Sequence, residues 1–91
     1  KAAQKIGIKL REISRSRQVL CVTHLSQIAV MADTHYMIEK HTENDRTVTQ
    51  VHLLDFEGRT EEIARIMGGD NPSALMLENA REELKRVAAE Q

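Results

Sequence analysis

The chain has 91 residues, 41% hydrophobic and 30% charged, with 13 Lys and Arg against 14 Asp and Glu for a formal charge of -1. That composition is too apolar for a disordered segment, and no apolar run approaches the ~20 residues that cross a bilayer. A nucleic-acid binder acting alone shows a basic surplus, and Tyr36 and Phe56, the two aromatic residues, offer no platform for stacked bases.

The sequence starts at Lys1 rather than Met and reads as one domain at most, expected to be an excised piece of a larger one. A domain of this size buries roughly 60–65% of the surface its unfolded chain exposes, enough for a modest core. The single cysteine, Cys21, cannot form an internal disulfide, which fits a reducing cytoplasm. No signal-peptide pattern opens the chain.

Ala3, Ile6, Leu10 and Ile13 recur at steps of three and four, which predicts a helix over about residues 1–15 with those four side chains inward. Lys5, Lys9, Arg11 and Glu12 then fall mostly on its wet side. Ser14 to Arg17 closes it. The apolar run Val19–Val22 follows and reads as a short strand buried on both faces, as in the parallel sheet of an α/β domain. Thr23 is a candidate N-cap for a helix from about Leu25 to Ala32.

His35–His41 and Thr47–Leu54 alternate as two strands joined by the polar turn Thr42–Arg46, an antiparallel hairpin. Tyr36 and Ile38 share one face of the first strand, Val51 and Leu53 one face of the second. A helix over Glu57–Met67, with Ile63, Ile66 and Met67 inward, ends at Gly68-Gly69, where glycine accepts the left-handed conformation. Asn71-Pro72 supplies an N-cap and a first-turn proline for the last helix. Leu77, Ala80, Leu84 and Val87 form its apolar stripe, suited to the core or to a partner helix.

His24 is the leading candidate site. Ligands of open α/β sheets bind outside the carboxyl ends of the strands, and an imidazole there can donate a hydrogen bond to a phosphate oxygen or orient a water. The competing reading is a loop histidine that serves local backbone groups. His35, His41 and His52 lack Cys or carboxylate partners at zinc-site spacing, so no metal is expected. Cys21, inside the apolar run, reads as an inert buried thiol rather than a nucleophile. Arg59, Glu61, Glu62 and Arg65 read as surface ion pairs on one helix, with a docking face for another domain as the alternative. Gly68-Gly69 lacks the Lys-Ser/Thr of a phosphate loop and ends a helix rather than starting one.

Four pieces in series carry a family resemblance: residues 2–7 with their helix, Val22-Thr-His-Leu-Ser-Gln27, Ala32-Asp-Thr-His-Tyr-Met-Ile-Glu-Lys40 and Glu62-Ile-Ala-Arg-Ile-Met-Gly-Gly69. In order and spacing they resemble the C-terminal end of the RecN family, bacterial double-strand-break repair ATPases related to SMC and ABC-type heads. The resemblance implies an α/β fold: the C-terminal part of such a head (residues 1–91, an incomplete domain), with a short parallel strand and a β-hairpin packed with about four helices. It implies that His24 is the switch, or H-loop, histidine that contacts the ATP γ-phosphate and helps position the attacking water.

The same resemblance implies ATP and Mg2+ in the intact protein, held with a phosphate loop, a signature motif and an Asp-Glu pair that do not occur in these 91 residues. Phosphoryl transfer needs those parts in place, so the piece alone is expected neither to bind nor to hydrolyse ATP. The implied partners are the rest of the head, a second head in a homodimer, and DNA through other regions, with no membrane, in the cytoplasm at the nucleoid. A strand cut from its neighbours should leave exposed edge and apolar surface that invite self-association. The alternative functions are a non-catalytic interaction module built on the Arg59–Arg65 helix and the terminal stripe, and a head segment of another SMC-type chromosome protein.

Overall fold

The structure, a computed structural model, describes residues 1–90. Helix α1 spans Ala2–Ser14, the one-turn helix α2 Ser26–Ala29, strands β1 and β2 Tyr36–Glu43 and Arg46–Leu53, α3 Phe56–Gly68 and α4 Ala74–Ala89. The hairpin and four helices of the expected α/β reading are present. The strand over Val19–Val22 is not: that stretch has no regular structure, and the one sheet among the described residues is the β1–β2 pair. A parallel strand is held by ladder bonds from its neighbours, and among the described residues the two strands, β1 and β2, pair with each other instead. Leu20 and Val22 consequently stand 86% and 91% exposed.

The first helix forms where expected but turns a different face inward. Gly7 is its buried residue, flanked by half-buried Ala3, Leu10, Arg11 and Ser14, whereas Ile6 and Ile13 are exposed. Close approach to α2 explains the choice. A Cβ on Gly7 would lie 3.2 Å from the Gln27 carbonyl oxygen and 3.0 Å from Met31 Cγ, so a side chain there would push its neighbours back by a few tenths of an ångström. Arg11, assigned to the wet side, is drawn in with that face.

Helix α2 is shorter than the expected Leu25–Ala32 and begins without a side-chain cap. A single turn cannot sustain itself in water. It is held because Ala29 and Val30 enter the core. That core joins them to Ile63 and Ala64 of α3 and to Ala80, Leu84 and Val87 of α4, with Met31, Ile66, Met76 and Leu77 packed around. Each large aliphatic buried there contributes ~1.5–3 kcal/mol of transfer free energy. The terminal stripe therefore packs on α3 rather than awaiting a partner helix. Met67, expected inward, is exposed, and Thr60 takes a buried place instead, its hydroxyl donating to the Phe56 carbonyl at 2.9 Å.

The hairpin is tighter than its sequence indicates. Asn44 and Asp45 alone make the turn, both at positive φ (51° and 63°), which suits the right-handed twist of the strands and residue types that tolerate that region. Tyr36 pairs with Leu53 and Ile38 with Val51, so all four side chains share one face. That face is exposed, and no hairpin residue belongs to the buried core among the described residues.

Helix α3 is capped by Asp55, whose carboxylate accepts from the Gly58 N–H at 2.7 Å, and Glu57 adds negative charge to the first turn. It stops at Gly69, with φ +91° and ψ -172°. That is not the left-handed helical conformation expected but an extended one that is essentially restricted to glycine. The cap of α4 is Ser73, accepting from the Met76 N–H at 3.1 Å, two residues beyond the expected Asn71.

Candidate functional site

His24 sits at a bend just ahead of α2, exposed to solvent. The Thr23 hydroxyl accepts a hydrogen bond from the Leu25 N–H at 3.0 Å, closing a small turn around His24 rather than capping a helix. The geometry differs from the expected one in kind: the imidazole is presented by a side-chain-closed turn, not by the tip of a buried strand. Cys21 is likewise exposed, not buried. Residues 17–24 form one wall of a wide open concavity whose other walls include Arg11, His35, Ile38, Val51 and Glu62.

Behind that wall, the exit of α2 is fastened from two sides. From α3, Arg59 Nη2 donates to the Ala32 carbonyl at 2.8 Å. From α1, Arg11 reaches Asp33 at 3.8 Å and lies against the Met31 sulfur. The Arg11 side chain is only 14% exposed, while the Asp33 carboxylate remains largely in solvent. Burial pushes the Arg59 pKa down, with nearby Asp33 acting the other way. His35 is half-buried beside them, and its Nδ1 has no hydrogen-bond partner. Its pKa is lowered by burial first and by the Arg59 charge second, with Glu62 opposing.

Arg59 thus does not belong to the surface ion-pair row in which the sequence placed it. Arg65 does: its guanidinium holds the Glu62 carboxylate through two bonds, one of them 3.0 Å from Nε, and this raises its pKa. The buried role of Arg59 had a signal in the sequence, since Arg59, Ile63 and Ile66 follow at steps of four and three on the inward face. Arg11 had no such signal, since its face is set by Gly7, which no apolar pattern marks as inward.

The remaining histidines pair with carboxylates on the hairpin. His41 Nε2 lies 3.6 Å from Glu43, and His52 Nε2 lies 3.5 Å from Glu39. Among the described residues no group of three or more His, Cys, Asp or Glu is placed to hold a metal ion. Nor is any helix among them long and apolar enough to cross a membrane.

Taken together, these features define a mixed helix-and-hairpin unit with a histidine-bearing turn on an open concavity, its apolar surfaces only partly covered. No family model matches the chain. Curated relatives do: it is 49% identical over 83 residues to the DNA repair protein RecN of Deinococcus radiodurans, covering 91% of this chain and 14% of that protein. To RecN of Bacillus subtilis it is 41% identical over 87 residues (96% of this chain, 15% of that protein). To RecN of Treponema pallidum it is 36% identical over 86 residues (94% and 15%). The resemblance read from the residues therefore holds: along nearly its whole length the chain matches a C-terminal segment of RecN, and it spans about a seventh of the length of these relatives.

Proposed function

We propose that this chain is the C-terminal part of the ATPase head of a RecN-like protein of double-strand-break repair and recombination, and that His24 is the switch histidine contacting the ATP γ-phosphate. The observation that carries the reading is the match of nearly all of this chain to a segment of RecN, together with an exposed imidazole held in a closed turn on an open concavity. An imidazole so presented can donate to a phosphate oxygen and can hold a water for in-line attack, and a hydrogen bond to a charged group is worth ~1.5–3 kcal/mol.

ATP is the substrate in this reading, bound chiefly by parts of the head that these 91 residues do not include. Among the described residues no group of three or more His, Cys, Asp or Glu is placed to hold Mg2+, which in this reading is bound by other parts of the head. Their own contribution is one hydrogen-bonding side chain and the scaffold that aims it. The exposed apolar stretch Leu20–Val22 and the apolar hairpin face fit a surface covered by the remainder of the head, which is the first partner proposed. A second head and DNA are the others. Such a protein works in the cytoplasm, at the nucleoid.

The interaction-module reading has less to stand on. Its terminal stripe is buried against α3, and Arg59 of its charged helix is turned inward. The test is His24→Ala in a full-length RecN-type chain carrying this segment. Turnover of ATP should fall by roughly one to two orders of magnitude, with melting temperature unchanged. Undiminished turnover would retire the assignment.

A further inference from the structure

Among the described residues, the hydrogen bond at the His24 turn is internal to it. The bond from the Leu25 N–H to Thr23 closes the turn on itself, and the preceding stretch has no regular structure. Its direction is therefore inherited from α2, which begins at Ser26, and α2 is a single turn too short to fix its own pose. Burial of Ala29 and Val30 seats α2 in the core, and contacts at its two sides set its orientation. Gly7 lets α1 press against Gln27 and Ile28. Past the far end, the Ala32 carbonyl accepts the Arg59 guanidinium from α3, 27 residues on in sequence.

We propose that Arg59 is a positioning residue for His24, acting through the Ala32 carbonyl to hold α2 and the turn ahead of it in the pose that meets the nucleotide. This rests on the switch-histidine reading. The geometry suits the task. The Arg59 side chain is half-buried and rises from a helix whose Thr60, Ile63 and Ala64 are buried, so its anchor is rigid. The carbonyl it holds belongs to the α2 exit, where Asp33 and Arg11 add a second fastening from α1. Loss of the guanidinium frees the Ala32 carbonyl at the α2 exit, while the α1 contacts and the burial of Ala29 and Val30 remain. The histidine should then lose its aim while the core stays folded. Small misplacements of a reacting group cost rate out of proportion to their size.

The test is a double-mutant cycle on ATP turnover in a full-length RecN-type chain carrying this segment. Arg59→Ala should lower kcat on the order of tenfold with KM for ATP nearly unchanged. On a His24→Ala background the same substitution should change kcat by less than about twofold, because a residue that acts only through His24 has nothing left to position. Arg59→Lys, which keeps a cation and a donor, should recover part of the loss and serves as the test variant if Arg59→Ala does not fold. Equal losses with and without His24, or no loss in the presence of His24, would overturn the positioning role alone. Wild-type turnover in His24→Ala would overturn the switch reading, and this proposal with it.

Discussion

Ile38 faces Val51 across the hairpin, and both side chains remain more than half exposed, at 56% and 60%. Tyr36 and Leu53 extend the same face, and the unpaired stretch Leu20–Val22 adds apolar surface elsewhere on the concavity side. Exposed apolar surface gathered on one side in this way favours association in water. We expect the 91-residue chain by itself to self-associate, with Ile38→Lys or Val51→Lys shifting it toward monomer. Light scattering across a concentration series reads this directly; a monomer at high concentration for the unsubstituted chain contradicts it.

The start of α4 gives a prediction that separates two capping registers. Ser73, not Asn71, accepts from the first-turn backbone, so Ser73→Ala should cost about 0.5–2 kcal/mol. Asn71→Ala should fall within about 0.5 kcal/mol of the parent. Urea unfolding midpoints of the two variants decide it, and the reverse ranking would mean that the helix starts where the Asn-Pro pair indicates.

His35 should make stability depend on pH. Burial, then the Arg59 charge, hold its folded pKa below 6.5, while the unfolded chain has a value of ~6.5. Between those two values the unfolded state binds more protons, so stability rises with pH across that window. The stabilisation is fully present above ~6.5 and is lost as pH falls toward the folded value. Glu62 limits the effect by favouring the protonated ring. His35→Gln should flatten this acid-side slope in chemical unfolding, and an unchanged slope would mean that another group carries it.

How far the sequence could be read follows from where each element finds its partners. The hairpin, α3 and α4 were legible because their signals are local: alternation, a glycine stop and a stripe at helical spacing. The inward face of α1 was not, because Gly7 rather than Ile6 or Ile13 meets α2, and hydrophobicity does not mark a close backbone approach. Val19–Val22 has the composition of a buried strand, but among the described residues no strand lies beside it to pair with. His24 was found as a candidate by position and resemblance. Arg59, which fastens the helix next to it, was read as one of several surface charges although its spacing from Ile63 placed it inward.

The central claim concerns one phosphate group, and a binding comparison addresses it most directly. In a full-length RecN-type chain carrying this segment, affinities for a non-hydrolysable ATP analogue and for ADP should be measured with and without His24→Ala. Loss of a hydrogen bond to the terminal phosphate should weaken the analogue by roughly ten- to hundredfold and leave ADP unchanged. Equal weakening of both nucleotides, or of neither, would contradict a γ-phosphate contact by His24.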